Sequence, residues 1–182
     1  MKLMIASDLH GSAAFTELLI RRYREEGAEK LILLGDLLYH GPRNDLPEGY
    51  APKQVISLLS ELAGQILCVR GNCEAEVDQM VLPFPVLAQY GWLRLGSRSV
   101  YITHGHLVNA EHPLAFSEGD ILLMGHTHIP ECRSCGCFTV LNPGSVSIPK
   151  EGTPHSCLVW EDGLFSWKDI LSGEVYQVWQ AE

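Results

Sequence analysis

Apolar positions in this chain cluster into short runs that alternate with polar, glycine-containing segments. Residues 2–6 are one such run and read as a buried strand. In residues 13–26, Phe15, Leu18, Leu19, Arg22 and Tyr23 fall at helical spacing, and Gly27 is placed to end the helix. Residues 30–34 (KLILL) form the next buried strand, followed by a loop rich in Gly, Pro and Asn over residues 35–52. Residues 53–63 set Val55, Ile56, Leu58, Leu59 and Leu62 on one helical face, and residues 65–69 (QILCV) give a third strand. Strands alternating with helices imply parallel pairing through right-handed crossovers.

The second half is dominated by short strand-like runs at residues 86–89, 92–95, 100–103, 121–124, 138–141, 157–160, 164–168 and 175–178. Turn signals at residues 95–97 and 161–163 separate several of them. The pattern predicts an α/β fold, with two β-sheets packed together and helices outside. It is expected to form one domain over residues 1–182, since no repeat, linker or low-complexity tract interrupts the chain. A hydrophobic content of 46% is enough for one sizeable core.

Charge narrows the function classes. A net charge of −9 argues against broad electrostatic binding to nucleic acid or to an anionic membrane, which need Lys and Arg. The first apolar run is broken by Ser7 and Asp8, too early for a secretory leader or a membrane span. A cytoplasmic protein with reduced cysteines is therefore expected. Cys132, Cys135 and Cys137 make a C-x-x-C-x-C cluster without an obvious fourth ligand. Cys135-Gly136 reads as a hairpin turn in preference to a zinc knuckle.

The candidate chemistry lies where the apolar runs stop. Asp8 and His10 follow the first run, Asp36 the second and Asn72 the third; His104 and His106, then His126 and His128, follow two later ones. Most have a glycine beside them, which lets the backbone turn sharply against a ligand. Ligands bind at the carboxyl ends of strands in open α/β sheets. A lone histidine is usually a core or surface residue, but this many at strand ends read together as a metal cradle. In an extended segment, residues two apart point the same way. Asp8 with His10, and His126 with His128, would each then reach one ion. Oxygen and imidazole donors suit Mn, Fe, Zn or Ni. Seven donors exceed the needs of one ion but suit two ions sharing a carboxylate, roughly 3.5–4 Å apart. Two divalent ions with two aspartates leave a local surplus of positive charge, for which a phosphate anion is the natural guest. Asp8 and Asp36 as helix N-caps is the bland alternative, and it does not account for the histidines.

Taken in order, Asp8-x-His10, Gly35-Asp36-x₄-Gly41, Gly71-Asn72-x-Glu74, His104 and Gly125-His126-x-His128 resemble the motifs of calcineurin-like metallophosphoesterases. Gly41-Pro42-Arg43-Asn44, Gly71-Asn72-Cys73-Glu74 and Asn142-Pro143-Gly144-Ser145 are similar to segments of the small bacterial phosphodiesterases within that family. The resemblance implies a four-layer α/β/β/α sandwich of two mixed β-sheets flanked by helices. It implies two divalent metal ions, typically Mn²⁺, and hydrolysis of a small phosphodiester by a hydroxide bridging them. Asp8, His10 and His128 would hold one metal; Asn72, His104 and His126 would hold the other, with Asp36 between. His106 would face the substrate, so Asp36, Asn72, His104 and His106 are the expected catalytic set. A phosphomonoesterase on the same site is the alternative. A protein-binding scaffold, as in relatives that have lost ligands, is less favoured because all seven positions are filled here.

One position departs from the family pattern. Cys73 stands where many members have a histidine thought to protonate the leaving group. A thiol, with an ordinary pKa of about 8.5, is poorly suited to that task, which leaves His106 or water. Ser145 lacks the surroundings of a serine nucleophile. Arg43 and Arg70 are expected either to meet phosphate or to brace their loops. His112 and His155 are expected at the surface. A homo-oligomer is expected, through residues 175–179 and the region of Trp160 and Trp167; nucleic acid and membrane are not expected as partners.

Overall fold

Strand β1 (Lys2–Ala6) is apolar on both faces because it is covered on both. Met4 and Ala6 face one core, and Leu3 and Ile5 another. Strand β2 (Lys30–Leu33) repeats this, with Leu31 and Leu33 on the first side and Ile32 on the second. A period of two thus persists inside runs that look uniformly apolar. The first core is closed by helix α1 (Ala13–Glu26) and helix α2 (Pro52–Ser60), which contribute Phe15, Leu19, Val55 and Leu59. Ser12 caps α1, its Oγ accepting from the Phe15 amide at 3.3 Å, and Gly27 ends it at φ 62°.

The computed structural model describes residues 1–181. Further strands are β3 (Ile66–Cys68), β4 (Tyr90–Leu95), β5 (Arg98–Thr103), β6 (Asp120–Leu123), β7 (Pro130–Cys135), β8 (Phe138–Pro143), β9 (Ser156–Glu161), β10 (Leu164–Asp169) and β11 (Val175–Gln180). Among the described residues they make a six-stranded sheet, β11-β10-β9-β1-β2-β3, and a five-stranded sheet, β4-β5-β6-β8-β7. Both are mixed: β1, β2 and β3 run parallel, as do β5, β6 and β8, while β9 and β4 pair antiparallel to their neighbours. The second core lies between the sheets and includes Val100, Ile102, Ile121, Leu123, Phe165 and Trp167. The outer face of the five-stranded sheet is covered by an irregular segment over residues 104–119, where Phe116 stacks on Phe138 with ring centroids 4.2 Å apart.

Three local expectations change. Residues 86–89 are not a strand. Val86 is fully buried, but its amide donates to Gln79 Oε1 at 3.0 Å, and Gln79 Nε2 donates to the Phe84 carbonyl at 3.0 Å. A side-chain amide thus takes the role of a neighbouring strand. A short helix, α3 (Glu76–Val81), has no buried residues and so left no apolar stripe to read. Trp160 and Trp167 are buried in the chain's own inter-sheet core, so they offer no surface to a second subunit; Val175, Tyr176 and Val178 on edge strand β11 are exposed.

Cys135 pairs with Phe138 across the turn between β7 and β8, the expected hairpin. Cys132, Cys135 and Cys137 belong to no metal-ligating group among the described residues, and all six cysteines are free. His155 is half-buried and stacks on Phe15 at 4.0 Å, so it is not a plain surface residue. Among the described residues, no helix is long and apolar enough to cross a membrane.

Candidate metal centre

The carboxyl ends of β1, β2 and β3 from one sheet, and of β5 and β6 from the other, meet at one edge of the sandwich. The chain there takes an unusual backbone. Asp8, His10, Asp36, His126 and His128 have φ of 59°, 46°, 57°, 68° and 65°. They are five of the seven non-glycine residues with positive φ among the described residues. Each costs roughly 1–2 kcal/mol of backbone strain, so the surroundings must hold them. Asp8 and His10 donate their amides to the Gly35 and Asp36 carbonyls at 3.1 and 2.9 Å. Ser145 Oγ and Ser147 Oγ both donate to the Asp8 carbonyl, at 2.9 and 3.0 Å. Asn142 Nδ2 donates to the Gly125 carbonyl at 2.9 Å. Asp8 and His10 therefore converge through left-handed turns, and not through the extended alternation expected from their spacing. Neither Asp8 nor Asp36 caps a helix: Ser12 does so for α1, and no helix follows Asp36 directly.

Three imidazoles share one orientation. His10, His104 and His128 donate Nδ1–H to the carbonyls of Tyr39 (2.9 Å), Leu34 (2.7 Å) and Ile148 (2.6 Å). A carbonyl can only accept, so each Nδ1 carries a proton and each Nε2 points inwards, where its lone pair would serve a cation that displaces any proton there. The inward nitrogens surround Asp8 Oδ1: His128 at 3.4 Å, His10 at 3.5 Å and His104 at 4.0 Å. His10 Nε2 and His128 Nε2 face each other at 3.3 Å. Asp36 Oδ2 lies 3.5 Å from His104 Nε2 and 3.7 Å from His10 Nε2, and His104 Nε2 is 3.0 Å from Asn72 Oδ1.

These donors fit divalent cations. Asp8 Oδ1 is buried and has no hydrogen-bond partner among the described residues. His10 Nε2 and His128 Nε2, 3.3 Å apart, need either a shared proton or a cation between them. Ligands roughly 2.0–2.2 Å from one ion stand about 3.0–3.5 Å apart, which is the spacing of Asp8, His10 and His128. Those three residues, and separately Asp8, Asp36 and His104, each bring their ligand atoms within 4.8 Å of one another; so do His10, Asp36 and Cys73. His126 lies outside these groups, half-buried, with its ring centroid 5.1 Å from that of His104 and 6.2 Å from that of His106. His126 and His128 therefore do not converge as a pair. Asn72 is exposed at the cavity and His106 half-buried, with its Nδ1 buried and unpartnered among the described residues.

Electrostatics follow this arrangement. Burial works to raise the Asp8 carboxyl, but the neighbouring imidazoles of His10, His128 and His104 hold it well below its usual range. Asp36 is lowered in the same way, burial being outweighed by His104. Burial disfavours charge on His104, yet Asp36 and Asp8 lift it to about 9. His106 and His126 are lowered by burial and by the charge of His104, which keeps them neutral with a free lone pair. Burial, then Asp36, pushes the Cys73 thiol well up, so it stays protonated.

Sequence reasoning left several supporting residues without a role. Glu74 is buried and accepts from the amides of Asp36 (2.8 Å), Leu37 (2.7 Å) and Gly71 (2.5 Å), tying the loop after β2 to the loop after β3. Its position two residues after Asn72 was the available signal. Arg70 braces this loop by donating to the Glu74 carbonyl at 3.1 Å. Asn142, Ser145 and Ser147 act on the opposite side, and only their register against Asp8 would have revealed them. Above the donors opens a cavity of about 460 Å³, whose lining includes Asn72, Cys73, His126, Arg43 and Lys150.

Residues 1–162 match the model of the calcineurin-like phosphoesterase superfamily domain. The chain belongs to this family. It is 49% identical over 166 residues to phosphodiesterase YfcE of Escherichia coli (strain K12), covering 91% of this chain and 90% of that one. The probable metallophosphoesterase YsnB of Bacillus subtilis (strain 168) is 24% identical over 157 residues, covering 82% and 78%. The solved structure of Yfce, a phosphoesterase from E. coli, superposes with a TM-score of 0.97 over 100% of both chains at 43% identity. The two mixed sheets with their helices are thus the fold of this family, its outer layer on the five-stranded sheet being the irregular segment 104–119, and the chain is a phosphoesterase, a hydrolase.

Proposed function

We propose that this phosphoesterase cleaves phosphodiesters and uses two divalent cations, Mn²⁺ first among them. The observation that carries the reading is Asp8 Oδ1, buried without a hydrogen bond and ringed by three inward imidazole nitrogens. Asp8, His10 and His128 would hold one cation; Asn72, His104 and His126 would hold the other. Asp36 would serve both, since its Oδ2 stands between His10 and His104. The donor set has oxygen and nitrogen atoms and no thiolate, which suits manganese. Preference for a diester rests on the likeness to phosphodiesterase YfcE. One domain spanning the chain fits, because strands of both sheets deliver donors to one centre.

When bound, the cations supply a lowered pKa for water and compensation of charge on the phosphoryl oxygens. The chain's own residues do the rest. Cys73 donates its amide to Asp36 Oδ1 at 2.8 Å, which fixes the carboxylate and turns Oδ2 inwards. Asn72 and His126 present donors at the cavity floor. His106, neutral and with no partner on Nδ1 among the described residues, would first take a proton from the attacking water and then, as imidazolium, pass it to the departing alkoxide. Cys73 stays a thiol and lines the cavity.

The test is to strip the protein with chelator and restore Mn²⁺, Mg²⁺ or Zn²⁺. An aryl phosphodiester is then assayed beside an aryl phosphomonoester, with Asp36→Asn and His126→Ala as comparisons. Metal-restored diester cleavage that both variants lose is the expected result. A preference for the monoester would move the substrate class without moving the site. Silence on both esters, with no metal bound, would overturn the enzyme reading in favour of a scaffold.

A further inference from the structure

We propose that Arg43 and Lys150 form an anion-binding pair in the cavity, so that the favoured substrate is a phosphodiester carrying a second anionic group on one alcohol arm. This rests on the diesterase reading above. The chain has 13 Lys and Arg residues in a protein of net charge −9, so carboxylate partners are plentiful. Ten of the cations take an ion pair or a hydrogen bond. Among the described residues only the side chains of Arg43, Lys53 and Lys150 have neither, and two of these three line the cavity above the candidate metal donors.

Both cations sit on backbone that also holds the centre. The Lys150 amide donates to the His128 carbonyl at 3.3 Å, and the same segment provides the Ile148 carbonyl that orients the His128 ring. Lys150 O accepts from the Thr153 amide at 3.0 Å and from Thr153 Oγ1 at 2.7 Å. Arg43 lies in a turn closed by the Asn44 amide donating to the Gly41 carbonyl at 3.4 Å, and by Asn44 Nδ2 donating to the His40 carbonyl at 2.8 Å. A Cβ on Gly41 would stand only 3.3 Å from Cys73 Sγ, so this turn abuts the cavity floor. Their acidic sequence neighbours, Asp45 and Glu151, do not pair with them.

Charge balance places the second anion. Two divalent cations, less Asp8, Asp36 and a bound hydroxide, would leave about one positive charge, which already matches the single negative charge of a diester. Two more positive charges have no work at the scissile phosphate. A cavity of about 460 Å³ also holds far more than one phosphoryl group. Arg43 and Lys150 are therefore free to meet a carboxylate or phosphate further along the substrate.

The test uses Mn²⁺-loaded protein and p-nitrophenyl diesters whose second arm is ethyl, 2-carboxyethyl or 2-phosphoethyl. Wild type is expected to cut the anionic arms with kcat/KM about tenfold above the ethyl arm, with the advantage shrinking as salt is added. Arg43→Ala/Lys150→Ala should bring that ratio to about one, while Lys53→Ala, outside the cavity, keeps it. A preference for only one of the two anions supports the pair and names the group. Equal rates for all arms, or a preference that survives the double substitution, would overturn it. Binding by calorimetry of the uncleaved ethyl and 2-carboxyethyl esters of methylphosphonic acid is the second readout. If no diester is cut, the diesterase reading fails. The calorimetry then decides separately: tighter binding of the carboxylated ester that the double variant loses supports the pair, and equal binding overturns it.

Discussion

At the scale of single residues, the centre depends on groups that touch no substrate. Glu74 illustrates this. Its two oxygens accept three amides from loops that carry Asp36 and Asn72. Glu74→Gln would turn an NH₂ group towards an amide N–H and leave it unpaired. We expect a loss of about 1–3 kcal/mol in urea unfolding and metal affinity weakened about 10–100-fold in calorimetry. Unchanged values for both would contradict the positioning role. His106 gives a second prediction. His106→Ala should slow cleavage of an alkyl leaving group by about 100-fold but of p-nitrophenolate far less, because only the alkoxide needs a proton. Equal losses on both would mean that His106 only shapes the cavity. That Asp8, His10, Asp36, His104 and His128 stand together was legible from their types and order. The role of Glu74 was not, because a buried carboxylate that holds backbone amides looks in sequence like any other acid.

At the scale of elements, glycine marks where strand ends approach closely. A Cβ on Gly71 would lie 2.1 Å from Asp36 Oδ1, and one on Gly125 would lie 2.0 Å from Ser7 Oγ and 2.9 Å from Asp8 Oδ2. Gly71→Ala and Gly125→Ala should each lower kcat/KM by about 100-fold through displacement of the carboxylates, with circular dichroism unchanged. Full activity in either would show that the loops tolerate more movement than the packing suggests. The strands themselves were legible, since each apolar run stops abruptly at Asp, His or Asn. The left-handed turns at Asp8, His10, Asp36, His126 and His128 were not, because nothing local marks a non-glycine residue for positive φ; tertiary hydrogen bonds impose it. The misreading of residues 86–89 has a similar origin: Val86 is apolar for the core, and its backbone partner is a side chain seven residues away.

At the scale of the whole molecule, two sheets bury a large apolar seam and meet over one polar edge. Cys157 lies fully buried under α1 in the six-stranded sheet, and burial raises its thiol from 9.0 to about 12. Its folded pKa exceeds the unfolded one, so its contribution is complete below about pH 9 and is lost as pH rises towards about 12. By pH 10.5 this amounts to about 2 kcal/mol. Urea unfolding of Cys157→Ala should therefore lose less stability than wild type between about pH 8 and pH 10.5; identical losses would contradict the assignment. The fold class was legible because strand and helix patterns agree over the chain. The cation pair was only half legible: Arg43 lies inside a motif, whereas Lys150 is brought to the cavity by the return of the chain from β8 towards β9. One titration tests the two-metal centre most directly. Chelator-stripped protein is given Mn²⁺ in steps, and bound metal per chain is measured beside cleavage of bis(p-nitrophenyl) phosphate. Activity that rises with the second ion bound, and stays absent in Asp36→Asn, is the predicted result. Full activity in stripped protein, or none with both ions bound and no aryl diester cut, would contradict a two-metal phosphodiesterase.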